Sequence, residues 1–261
     1  LIDMILASTL PDGSISYLYF ADRINQLPLG VLGIALSTAL LPILSKQIKK
    51  KQNSDAIETI NHCLQIAIVF SMPAAAGLML LSEPIVNVLF VRGEFTLNDA
   101  LLTSHALIAL CIGLPAFIFV KIFAISFFAR EDTQTPVYIA ILAMLINLVL
   151  NLILIQKYLH VGLALATSIS SWFNCLLLYF FLRKNKFYYL RRDIIITLLK
   201  TIFSSILMIV SIKYILLENL TRFIEIENLN ESFIILSMAI LFGSFIYIIL
   251  IYLLGIGNFL K

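Results

Sequence analysis

Charge is scarce in this sequence. Only 13% of its 261 residues are Asp, Glu, Lys or Arg, about half the share in an ordinary soluble domain, and 61% are hydrophobic against the usual ~45–50%. A chain so poor in charge cannot dress a water-facing surface, which excludes a soluble globular enzyme and a disordered chain. The net charge of +3 is too small and too scattered to track a phosphate backbone, so no nucleic-acid partner is expected. Three cysteines, Cys63, Cys111 and Cys175, lie far apart in apolar stretches without a CxxC, which reads as buried inert thiols and no disulfide framework. His62, His105 and His160 stand alone near or in apolar runs, as interfacial or hydrogen-bonded side chains rather than metal ligands. Paired carboxylates, a Ser-His-Asp order and a Gly-rich phosphate loop are missing, so covalent or acid–base chemistry and ATP hydrolysis have no visible machinery.

Long apolar runs take their place. The expected fold is all-α, a polytopic helical membrane protein. With about 20 residues per crossing, the runs give spans at about 15–45, 56–81, 98–128, 136–156, 161–182, 194–217 and 232–254. Residues 1–10 make a half-span: Leu1 opens inside LIDMILAS, which reads as a fragment starting partway through a helix. Pro28, Gly30 and Gly33 interrupt one long span, and Gly113 and Pro115 another. Kinks in a membrane need protein or a wet cavity to satisfy the freed carbonyls, so they point either to a cavity or to packing alone.

The loops fix the sense of the spans. Lys46, Lys49, Lys50, Lys51, Arg130, Arg183, Lys184, Lys186, Arg191, Arg192 and Lys261 fall on one side, against Arg92, Lys157 and Arg222 on the other. The basic side should be cytoplasmic, with the chain ending there. The segment 218–231, carrying Glu218, Glu225, Glu227 and Glu231, then faces outward.

Ionisable residues inside spans are costly and mark a functional site by default. Lys200 and Lys213 can snorkel to an interface. Asp3, Asp22, Arg23 and Lys121 are harder to excuse. Arg23 lies roughly 13 Å into its span at about 1.5 Å per residue, near mid-depth. Its guanidinium cannot deprotonate, and Asp22 beside it points to another helix face. Either Arg23 faces a wet cavity, where it can take a phosphate bidentately, or it forms a buried ion pair with another helix. Asn147 and Asn151, at i, i+4, share one helix face. With Thr167 and a carboxylate such as Asp3 they offer the hard oxygens a small cation uses; interhelical hydrogen bonding beside the small-residue run Gly162, Ala164, Ala166, Ser168 is the alternative.

Longer motifs join these residues. The blocks LIDMILAS, SISYLYFADRINQLPLGVLGIALSTALLPILSK, PIVNVLFVRGEF and AREDTQTPV, with the NLVLN and GLALATS segments, resemble the MurJ (MviN) type lipid II flippases of bacteria. The resemblance covers residues 1 to about 185; the last two spans match mainly by number and place. It implies an inner-membrane protein of about twice this length, belonging with multidrug and polysaccharide-lipid exporters that work by alternating access of two lobes. This chain would supply the second lobe (1–185) and two additional helices (186–261) forming a groove for a lipid tail, the N-terminal lobe lying outside it. The implied substrate is lipid II, an undecaprenyl diphosphate bearing a disaccharide pentapeptide, flipped from the cytoplasmic to the periplasmic leaflet for peptidoglycan synthesis. Arg23 matches the family's cavity arginine in the ADR motif, which implies diphosphate binding, with Asp22 and Lys121 as further candidates. Some members hold a sodium ion at positions matching Asp3, Asn147, Asn151, the Leu163 carbonyl and Thr167. An aspartate is expected where Asn151 stands, and losing that charge weakens the cation site. Other readings are an exporter of another polyprenyl-linked saccharide, a drug/cation antiporter of the same superfamily, a membrane enzyme acting on polyprenyl phosphate, and a non-transporting fragment. Arg23 argues against the drug exporter, and the lack of clustered carboxylates or histidines at one face argues against the enzyme.

Overall fold

The computed structural model describes residues 2–217 and 229–256. They form helices and turns: α1 Ile2–Ala7, α2 Ser14–Lys49, α3 Asn53–Leu80, α4 Ser82–Phe90, α5 Leu97–Phe128, α6 Gln134–Lys184, α7 Arg192–Ser211 and α8 Leu229–Leu253, with a π-helical turn, Ile212–Leu217, extending α7. Six of these helices are long and apolar enough to cross a membrane. One of them, α6, is 51 residues, about 77 Å at ~1.5 Å per residue, far more than a bilayer core of about 30 Å. Leu159 (φ 50°, ψ −131°) breaks it into two arms, 134–158 and 160–184, which accounts for the two spans expected there. The arms fold back on each other: a Cβ on Gly162 would lie 2.5 Å from the Leu154 carbonyl oxygen, so only glycine lets the backbones approach this closely. The chain is therefore a multi-pass membrane protein.

At the centre runs α5, whose first turn is fixed by a capping box between Thr96 and Asp99. Nineteen of its 32 residues are buried, from Ala100 to Phe127. It packs against α2, α3, α4 and α6, while α7 and α8 pack together on the flank of α3. Pro115 and Gly113 do not stop α5; both are buried, and Gly113 lets α6 close in, with the Ser168 hydroxyl donating to the Ala109 carbonyl at 2.6 Å. Likewise α2 runs through Pro28 and Pro42 as one 36-residue helix. The short helix α4 falls just beyond the expected span at 56–81; its Pro84 sits in the first turn, where its missing N–H costs nothing.

Polar side chains tie the two ends of the bundle. At the basic end, Arg130 donates to the Ser126 and Phe187 carbonyls (2.5 and 3.1 Å) and lies 4.6 Å from the Phe187 ring centroid. The buried Tyr188 hydroxyl donates to Asn61 Oδ1 at 2.8 Å. Lys200 donates to the Leu254 carbonyl (2.7 Å), satisfying the C-terminal turn of α8. At the opposite end, Tyr17 donates to Asp99 Oδ1 at 2.6 Å and its ring lies tilted against His160 with centroids 5.3 Å apart, while His160 Nε2 pairs with the Leu102 carbonyl at 3.0 Å. Lys213 lies 5.9 Å from the Tyr214 ring. Cys111 and Cys175 are buried and Cys63 partly so, all as free thiols. Glu218, Arg222, Glu225, Glu227 and Lys261 lie outside the described residues.

Candidate functional site: a polar cavity along α2

Two cavities that hold charged and polar side chains among apolar ones meet at α2. One, of about 360 Å³, is lined by Asp22, Asn25, Gln26 and Gly30 of α2, by Leu110, Phe117 and Lys121 of α5, and by Thr167 of α6. The other, of about 230 Å³, is lined by Asp3, Tyr19, Asp22, Arg23, Leu110, Leu163 and Thr167 among others. Asp22, Leu110 and Thr167 face both, so Arg23 and Lys121 sit on opposite sides of one shared wall.

Arg23 lies nine residues beyond Ser14, the first residue of α2, and its side chain is exposed. Two neighbours on its own helix hold it. Tyr19, one turn back, places its ring centroid 4.8 Å from the guanidinium carbon. Gln26, one turn on, accepts from Arg23 Nη1 at 3.3 Å and donates from Nε2 to Asp22 Oδ2. Asp22 and Arg23 are thus linked through Gln26, as the divergence of adjacent helix positions requires. The guanidinium keeps most of its donors free for an anion. Lys121 is half-buried, and its stem runs over Gly33, where a Cβ would come 2.9 Å from Nζ. Asn25 is buried with an Oδ1 that takes no hydrogen bond from the described residues, an acceptor left for water or substrate at the cavity wall.

The second cluster joins α1 to both arms of α6. Asn151 Nδ2 donates to Asp3 Oδ1 (2.6 Å) and Asn147 Oδ1 (3.0 Å). The Thr167 hydroxyl meets Asp3 Oδ2 (3.1 Å), the Leu163 carbonyl (3.1 Å) and Asn147 Nδ2 (3.3 Å). All five positions that the resemblance implies therefore meet in space. Asn151 is fully buried, and its Oδ1 is an acceptor with no donor among the described residues. One carboxylate, two amide oxygens, a hydroxyl and a carbonyl make an all-oxygen set of single negative charge, which fits a monovalent cation better than a divalent one. Among the described residues no group of three or more His, Cys, Asp or Glu is placed to hold a metal ion.

Two residues of the site stand out only in the fold. Gln26 is legible in the sequence merely as a polar residue three and four positions after Arg23 and Asp22, the spacing of helix neighbours. Asn25, buried in the wall, carries no such signal.

Comparison with known proteins now decides the family. The family model for the lipid II flippase MurJ matches residues 1–234. The chain belongs to the MurJ family. It is 37% identical over 257 residues to a probable lipid II flippase MurJ of Rickettsia prowazekii (strain Madrid E), covering 97% of this chain and 50% of that protein. A solved structure of a lipid II flippase MurJ in an inward closed conformation superposes with a TM-score of 0.77 at 33% identity, over 95% of this chain and 49% of that one. An outward-facing multidrug resistance MATE family transporter of the MOP superfamily shares the fold at TM-score 0.59 and 16% identity, over 96% of this chain and 59% of that one. The chain spans about half the length of the MurJ relatives it matches. The family is one of transporters.

Proposed function

We propose that this chain works as the second lobe and the two additional helices of a lipid II flippase in the bacterial inner membrane. Residues 1–185 would face an N-terminal lobe across the central cavity, and residues 186–261 would form the flank that receives the polyprenyl tail. The observation that carries the reading is Arg23, a permanent cation nine residues into a membrane-spanning helix, held by Tyr19 and Gln26 with donors still free. A diphosphate is the anion that justifies it. Lys121 would add charge on the far side of Asp22. An apolar trough of about 590 Å³ between α2, α3, α7 and α8, lined by Phe70, Pro73, Met208, Ile240, Tyr247 and Ile251 among others, suits a hydrocarbon tail.

The basic end of the bundle would lie in the cytoplasm, as the loop charges argue, and the substrate would move from the cytoplasmic to the periplasmic leaflet. Asp3, Asn147, Asn151, Leu163 and Thr167 would hold a sodium ion, which supplies charge to bias one lobe arrangement over another. With Asn151 in place of an acid, that site would be weak. Complementation of a flippase-depleted bacterium tests the reading. The full-length protein should restore growth, Arg23→Ala should fail at equal expression, and Arg23→Lys should rescue in part. Unchanged rescue by Arg23→Ala removes the phosphate-binding assignment.

A further inference from the structure

A further cavity, of about 770 Å³, opens at the basic end of the bundle and belongs to neither cluster above. Helix α3 lends it residues 58–65, α7 and the turn before it residues 191–200, the turn after α8 residues 255–256, and α2 Ile43. The apolar trough uses the next stretches of the same helices: 69–81 of α3, 208–212 of α7 and 240–251 of α8. The two cavities are therefore stacked end to end. Their centres along α3 are separated by about 20 Å at ~1.5 Å per residue, comparable to the ~15 Å of one leaflet of a bilayer core. A polar chamber at the end of the bundle, with an apolar trough about one leaflet deep beyond it along the same helices, has the proportions of a lipid.

The charges in the chamber select among lipids. It holds two cations, Arg191 and Lys200, and two anions, Glu58 and Asp193, so it has poles of both signs and no formal excess of either. Arg191 and Asp193 pair at 3.1 Å while both remain about half exposed, at 47% and 59%. Lys200 spends one N–H on the Leu254 carbonyl and has two more. An anionic head group would find the cations but also meet Glu58 and Asp193. A phosphate bearing an ammonium satisfies both poles: phosphate oxygens accept from Lys200 and Arg191, and the ammonium donates to Glu58.

We propose that this chamber binds the head group of a zwitterionic aminophospholipid of the surrounding bilayer, with an acyl chain entering the trough. The site is judged on its head chamber and stands whether or not the trough also serves a polyprenyl tail.

Native mass spectrometry of the full-length protein, released from micelles containing equal amounts of phosphatidylethanolamine, phosphatidylcholine and phosphatidylglycerol, tests this. The wild type should retain phosphatidylethanolamine severalfold over both others, because methylation removes the ammonium donors and glycerol removes the positive charge. Glu58→Gln should abolish the preference for ethanolamine over choline while total bound lipid stays unchanged. Arg191→Gln should lower retention of both. Glu58 and Arg191 are exposed, so these variants should fold, and the wild-type competition decides by itself if one does not. Phosphatidylglycerol held as well as or better than phosphatidylethanolamine overturns the proposal, as does a Glu58→Gln variant that keeps the ethanolamine preference.

Discussion

At the scale of single residues, function rests on how few polar groups are spent inside an apolar chain. Gln26 is the clearest case: it bridges Asp22 and Arg23 and keeps the guanidinium over Tyr19. Gln26→Leu leaves the charge but frees the side chain. A hydrogen bond to a charged group contributes about 1.5–3 kcal/mol, less for an exposed pair, so lipid II binding should weaken by up to about tenfold. Titration of lipid II onto the purified protein checks this, and Arg23→Ala should weaken binding further. Asn151→Asp adds a second carboxylate beside Asp3 and should strengthen sodium binding in a ²²Na assay, whereas Asp3→Ala should abolish it. Equal uptake by wild type and Asp3→Ala would reject the cation site. Outside the spans, burial pushes the Tyr188 phenol above its ordinary range. The folded state thus holds that proton after the unfolded chain has lost it, and stability should fall as pH rises above about 10. Tyr188→Phe should flatten that slope in thermal melts across pH 9–11, a range set by the ordinary phenol value of about 10.

Elements show where the sequence is readable. Apolar runs locate the long helices, because a span must be about 20 residues and almost free of charge. The i, i+4 spacings of Asn147 with Asn151 and Leu163 with Thr167 make one face of each arm legible. That Asp3, 148 residues away from Asn151, completes the cluster comes from resemblance, since helix periodicity says nothing about which helices touch. Helix α4 is too short to register as a span, and the turn between the arms of α6 shrinks to Leu159, tighter than any loop motif suggests. The tight turn depends on Gly162. Gly162→Val should drive a side chain into the Leu154 carbonyl, cost about 1–3 kcal/mol or more, and lower the melting temperature in detergent by several degrees. A variant melting like wild type would mean that the arms pack less closely than described.

On the scale of the whole molecule, the central helix α5 is buried on nearly all sides, whereas α2 leaves Arg23, Gln26, Leu27 and Val31 exposed along one face. Arg23 and Gln26 of that face line the two site cavities, and it is the surface the proposed two-lobe arrangement would cover. The loop charges add a sidedness: cysteines placed at Lys50 and Lys186 in a cysteine-free background should resist impermeant thiol reagents in intact cells, while one placed at Gly93 should react. The most direct test of the central claim follows lipid II itself. In cells depleted of their own flippase and carrying the full-length protein, the outward-facing fraction of labelled lipid II should rise with wild type. It should stay at the depleted level with Arg23→Ala at equal membrane abundance. Equal outward exposure with Arg23→Ala would contradict the account.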